Sequence, residues 1–220
     1  MQTPSTMTIG KRLAFGFGLV LALMIALTGF GIQKVDFIER TLTEITDVNA
    51  VKQRYAINFR GSVHDRAISL RDVTLLESPA DLTATLAEID RLAAFYSEAA
   101  QALDSIFAAD RAIPDEEKVL LAAIKSIEQR TLPLASQIIA ARQAGDIDSA
   151  RRILLTQARP ALSDWLASIN RFIDYQEEKN RVATAHARTI AGQFALLMIS
   201  LCSLAILIGS GIAWRITRRL

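Results

Sequence analysis

The sequence predicts an all-α protein: an up-down-up-down four-helix bundle sensor domain flanked by two transmembrane helices. Three observations carry that expectation. Residues 13–32 and 190–214 form two long runs without a single charge. Between them, apolar residues recur every three or four positions, the spacing of helices that each bury one face. The 220 residues include only 10 glycines and 5 prolines, too few turn formers for a chain of many short strands.

Residues 1–12 read as a cytoplasmic N-terminus. The first run, 13–32, is twenty residues long. At about 1.5 Å per residue it reaches roughly 30 Å, the thickness of a bilayer's hydrocarbon core. Lys11 and Arg12 give it the basic start of a signal peptide. Its apolar stretch is longer than the usual h-region and no A-x-A cleavage site follows, so it reads as an uncleaved anchor. The second run, 190–214, has twenty-five residues and is followed by Arg215, Arg218 and Arg219. Basic residues at both outer flanks put both termini in the cytoplasm and residues 33–189 outside.

The exported segment holds all 23 acidic residues against 20 basic ones, a net charge of −3. An anion site there needs a local cluster of bases, because net charge will not gather acidic ligands. Its first helix is an unbroken continuation of the first span. Val35, Ile38, Leu42, Ile45, Val48, Lys52, Ala56, Phe59, Val63, Ala67, Leu70 and Val73 form a heptad-like stripe interrupted by Lys52. Ser78 and Pro79 then stop and restart the chain as N-cap and first helical position. A second helix follows over 79–108, with Leu82, Leu86, Ile89, Leu92, Phe95 and Leu103 as its stripe. After the turn at 110–115, acidic residues Asp115, Glu116 and Glu117 favour the start of a third helix, which Gly145 stops after Gln143. The fourth begins near Asp146 and runs through Arg188 into the second span, with a kink or break expected at Pro160. Four helices with short connections close an up-down-up-down bundle.

Several functions are excluded by composition. The 48 charges nearly cancel and aromatics make up 6%, so no nucleic-acid footprint exists. One cysteine makes neither an internal disulfide nor a thiolate metal site. His64 and His186 are the only histidines, and no HExxH, GxSxG, P-loop or GxGxxG occurs. No catalytic residue, metal or cofactor is expected. Asp115-Glu116-Glu117 reads as a solvated charge run, and Tyr55, Trp165 and Tyr175 as core or bundle-edge aromatics. His186 reads as an interfacial residue before the second span.

The segment NFRGSVHDRAISLRDV, residues 58–73, is the most informative. Arg60, His64, Ala67 and Arg71 fall at spacings of 4, 3 and 4, one lane beside the Phe59/Val63/Leu70 stripe. Guanidinium groups match carboxylates with planar, paired donors, so this lane suits a clamp on a di- or tricarboxylate. The competing reading pairs Arg60 with Asp65 or a neighbouring helix and leaves Arg66 and Arg71 in solvent. Arg152, Thr156 and Arg159 form a second polar lane early in the fourth helix. Both lanes lie at the membrane-distal end of an up-down bundle.

Four stretches together resemble a known family: MTIGKRLAFGFGLVLALM at the start, NFRGSVHDRAISLRDV, GDIDSARRILLTQARPALSDW opening the fourth helix, and WRITRRL after the second span. The chain resembles the N-terminal half of bacterial methyl-accepting chemotaxis receptors with a four-helix-bundle sensor. That resemblance implies a homodimer in the inner membrane whose first helices pack together, with ligand bound near their interface. The matching positions are His64 and Arg71, Arg60 one turn away, and Thr156 with Gln157; Arg152 is a candidate through its own polar lane. A histidine at position 64, where the family's pattern has arginine, shifts the expected ligand from amino acids to small organic acids. The resemblance further implies a HAMP region beginning at 215–220, a signalling domain beyond it, and a periplasmic binding protein as a further candidate partner. The same two-span sensor also sits on histidine kinases and cyclic-dinucleotide enzymes. A partner-binding bundle without a small ligand is the remaining alternative.

Overall fold

A computed structural model describes residues 9–110 and 112–218. The first eight residues, Arg111, Arg219 and Leu220 lie outside the described residues, as does the Arg12 side chain. Every regular element is helical: α1 Ile9–Thr43, α2 Ala50–Val73, α3 Pro79–Ala109, α4 Asp115–Gln143, α5 Ile147–Ile153 and α6 Arg159–Thr217. Two π-helical segments, Glu44–Asn49 and Leu154–Ala158, join α1 to α2 and α5 to α6. No strand occurs among the described residues. Contacts divide the chain into two units, one made from its two ends, up to Ile45 and from Val182, the other spanning Thr46–Arg181.

In the unit made from the ends, Phe15, Phe17, Met24, Ile25, Leu196, Ile206 and Leu207 are exposed. Large apolar side chains without protein cover suit hydrocarbon, and both helices are long and apolar enough to cross a membrane. Phe30 and Phe194 approach at 6.5 Å between ring centroids. Gly31 lies against the same ring, where a Cβ would meet Phe194 Cζ at 3.4 Å. His186, expected at the interface, packs edge-on against Phe37 at 5.6 Å.

The Thr46–Arg181 unit is a four-stroke bundle. Ala56, Phe59, Val63, Leu70 and Val73 of α2 are buried together with Ile89, Tyr96 and Leu103 of α3, Ile124 and Ile138 of α4, and Trp165, Ile169 and Phe172 of α6. Each fully buried large side chain contributes roughly 1.5–3 kcal/mol of transfer free energy. Phe59 stacks on Tyr96 at 4.4 Å, and Tyr96 meets Trp165 edge-on at 5.3 Å, so one aromatic layer ties three helices.

The helix ends follow the chain's own signals. The Ser78 side chain accepts from the Asp81 amide at the start of α3. At the end of α4, Gly145 adopts φ +80°. Its amide donates to Arg142 O at 3.1 Å and the Asp146 amide to Ala141 O at 2.9 Å, a Schellman pair that only a residue tolerant of positive φ closes without strain. The Arg142 side chain caps a different helix: Nε donates to Val73 O and Nη2 to Leu76 O, satisfying carbonyls at and just past the end of α2.

The expected stripes need correction. Lys52 does not interrupt the first stripe; it is a buried member of it. On α3, Phe95 is exposed and Tyr96 takes the core position. The kink or break expected at Pro160 takes the form of a π segment immediately before it, with the Arg159 amide donating back to Leu154 O. Pro160 follows at the second position of α6, inside a continuous helical run in which its ring replaces an N–H. Pro133 lies inside α4 without ending it, and both Pro133 and Gln129, whose carbonyl loses its helical partner, are exposed.

The π segment Glu44–Asn49 also changes which residues face inward. An i→i+5 turn holds an extra residue, so the buried face shifts by one position. Asn49 is buried where the simple repeat expected Val48.

Candidate functional site

The predicted lane on α2 exists as an exposed face. Arg60, His64 and Arg71 are all solvent-accessible, beside the buried Phe59, Val63 and Leu70. Arg71 pairs with its neighbour Asp72, Nη2 to Oδ1 at 3.1 Å, while its side chain stays 60% exposed. Such a pair contributes little, and it leaves Arg71 available. Among the described residues Arg60 and His64 make no side-chain hydrogen bond or ion pair, so the Arg60–Asp65 bridge of the competing reading is absent. Exposed apolar residues Ile57, Ile68 and Leu75 interleave with these bases.

Arg152, Thr156 and Gln157 are exposed as well. Arg152 Nη2 donates to Ser149 Oγ at 2.7 Å. Thr156 Oγ1 donates to Arg152 O at 2.8 Å, a bond within its own helical stretch. Both belong to α5 and the following π segment, which pack on α4. No hydrogen bond or ion pair joins this set to the α2 lane among the described residues.

Two buried polar centres were not foreseen. Glu117 is fully buried, not part of a solvated run. It accepts from Lys52 Nζ at 2.8 Å through one oxygen and from Lys179 Nζ at 2.8 Å through the other. Burial pushes its carboxyl up, but the Lys179 and Lys52 hydrogen bonds outweigh burial and hold it below the ordinary carboxylate range. α2, α4 and α6 are thereby clasped by one acid and two bases.

The second centre is Arg66, which was expected in solvent and is only 7% exposed. Its guanidinium carbon lies 5.1 Å from the Tyr96 ring centroid and 5.0 Å from that of Trp165, both within cation–π range. Its Nε and Nη2 are buried without an acceptor, and Trp165 Nε1 is turned to the Tyr96 hydroxyl. Tyr96 OH donates to Glu128 Oε2 at 3.1 Å. Burial lowers the Arg66 pKa, against the pull of Tyr96 and Glu128. Burial also raises Glu128, against its hydrogen bond from Tyr96 and the Arg66 charge.

A signal for both centres lay in the sequence. Lys52, Ala56, Phe59, Val63, Arg66, Leu70 and Val73 follow a strict 4-3 alternation. Ala67 keeps the stripe apolar but breaks its period, whereas Arg66 keeps the period. No comparable signal marked Glu117.

No group of three or more His, Cys, Asp or Glu able to hold a metal ion occurs among the described residues. No curated protein and no solved structure matches this chain. The sequence model of a family described as a four helix bundle sensory module for signal transduction matches residues 6–191, most of the chain. With an all-helical bundle and two helices fit to cross a membrane, the match closes the question of class. This chain is a membrane protein that belongs to the four-helix-bundle sensory modules of methyl-accepting chemotaxis proteins, a family that serves signal transduction.

Proposed function

We propose that residues 33–189 face the periplasm of a bacterial inner membrane and bind a small organic acid, a di- or tricarboxylate such as malate, succinate or citrate. Residues 13–32 and 190–214 are the spans, and residues 215–220 begin a HAMP region that feeds a chemotaxis signalling domain. One observation carries the reading of the ligand: the exposed face of α2 alternates bases with apolar residues. Arg60, His64 and Arg71 supply charge, and Ile57, Ile68 and Leu75 supply a face for a second copy. Exposed apolar residues at helical spacing favour association, and bases held beside them are partly desolvated when two chains meet. A carboxylate bound there bridges two guanidiniums that otherwise repel across the homodimer. Arg152, Thr156 and Gln157 are the second candidate ligand set.

Transmission follows from the chain itself. The helix α6 runs Arg159–Thr217 without interruption, so it contains bundle residues and Arg215 alike. A ligand that favours one packing of the bundle biases that helix by its difference in affinity for the two packings.

The test is thermal unfolding of the full chain in detergent micelles against malate, succinate, citrate and amino acids. Ligand at 100 times its dissociation constant adds about 2.7 kcal/mol of stability. The shift should appear with a carboxylate and vanish in Arg60→Ala and Arg71→Ala. No shift with any acid sinks this ligand class and favours a partner such as a periplasmic binding protein.

A further inference from the structure

Arginine side chains elsewhere in this bundle show what the Nε/Nη2 edge is for. Arg91 places Nε and Nη2 on the two oxygens of Glu88 at 2.7 and 2.5 Å. Arg181 does the same to Glu178 at 2.8 and 2.7 Å. Arg142 directs the same two atoms at backbone carbonyls. Arg66 presents that edge inside the bundle, where both atoms are buried and neither finds an acceptor.

A buried guanidinium without acceptors is unfavourable, and cation–π contact with Tyr96 and Trp165 offsets only part of the loss. Two nearby hydroxyls are already engaged. Ser62 Oγ donates to Leu92 O at 2.6 Å, and Tyr96 OH donates to Glu128. What remains is the two-pronged edge of Arg66, Nε and Nη2, while Trp165 Nε1 is turned to the Tyr96 hydroxyl. A carboxylate has one oxygen for each of these guanidinium nitrogens.

We propose that Arg66, flanked by the Tyr96 and Trp165 rings, forms an internal monocarboxylate site, enclosed by α2, α3 and α6 of one chain and distinct from the exposed lane of Arg60, His64 and Arg71. The ligand is a compact anion of acetate or pyruvate size. Glu128 restricts its charge to one, because a second carboxylate would stand near a like charge in a poorly solvated place. The reading is independent of the organic-acid site on α2. An occupied site links α2 to α6 directly, and so supplies the bundle with a second input.

The chain carries two tryptophans, Trp165 and Trp214. Trp214→Phe therefore leaves Trp165 emission as a local probe in the full chain in lipid nanodiscs. Acetate and pyruvate should change that emission saturably at constant ionic strength, with succinate and chloride much weaker. Arg66→Met should weaken acetate by at least about 30-fold, the loss of two charge-assisted hydrogen bonds. Arg66→Lys, which keeps the charge but not the two-pronged edge, should also weaken it, and stands in if the Met variant does not fold. Glu128→Gln should tighten acetate, and Arg71→Ala should leave it unchanged. The assignment is overturned by a flat titration, by equal saturation with chloride, by a response that survives Arg66→Met, or by one that Arg71→Ala abolishes.

Discussion

The bundle buries a positive charge in two places and treats it in opposite ways. At Lys52, Glu117 and Lys179, each base has its own carboxylate oxygen, and the acid is enclosed completely. At Arg66, the charge is held by two aromatic faces and its best hydrogen-bonding edge has no protein acceptor. The first arrangement is complete within the chain, so its role is to fix the packing of α2, α4 and α6. The second is incomplete within the chain, which is the property of a place that takes something in. Burial alone therefore does not distinguish a structural charge from a receptive one; the count of satisfied donors does.

The largest test of that contrast is Glu117→Leu, which strands two bases at once. It should lower stability by about 3–5 kcal/mol, the usual loss when one partner of a buried pair is removed. Chemical denaturation of the full chain in micelles measures it, and a loss under about 1 kcal/mol would show that water already reaches the lysines.

Acid should separate the two centres by sign. Glu117 titrates below the ordinary carboxylate range, near 4.3 for glutamate, so its contribution is complete above that pH and is lost as pH falls through its lower folded value. Glu128 titrates above that range, so it destabilises the fold at neutral pH and this is relieved as pH falls through its raised value. Stability measured from pH 8 to pH 3 should first rise slightly and then fall. Glu128→Gln should remove the rise, and Glu117→Gln should remove much of the pH dependence of the fall. A profile unaffected by either substitution breaks the comparison.

Arg66→Met should behave unlike Glu117→Leu. Replacing an unsatisfied buried cation by an apolar chain of similar reach should leave stability within about 1 kcal/mol or raise it. A loss above about 2 kcal/mol in ligand-free buffer would place Arg66 in the structural class beside Lys52. The smallest effect belongs to the exposed lane. Arg71→Ala should shift stability by less than about 0.5 kcal/mol, because its only partner is an exposed neighbour. Any change it causes in ligand response then reports binding.

Much of the architecture is legible in the amino-acid sequence. The uncharged runs, the Ser78-Pro79 restart and Gly145 are local signals, each acting through its own backbone. The expected helices over 79–108 and ending at Gln143 agree with α3 and α4 to within a residue. The exposed lane was legible for the same reason, since one helix's periodicity places Arg60, His64 and Arg71 together without help from a partner. Tyr96 against Phe95 was not, because two aromatics one position apart fit a stripe equally well until a neighbouring helix supplies Phe59 and Trp165.

What the sequence by itself determined is the class of the protein and the order of its helices, because periodicity, caps and uncharged length act over a few residues. What only the tertiary structure decided is the state of its charges. Lys52 and Glu117 are 65 positions apart, and whether either is solvated depends on a partner that the chain brings close only by folding. Arg66 sat at a core position of the heptad all along. Only the packed helices show that aromatic rings flank it and that the nearby Glu128 makes no hydrogen bond to it, and desolvation makes that difference large.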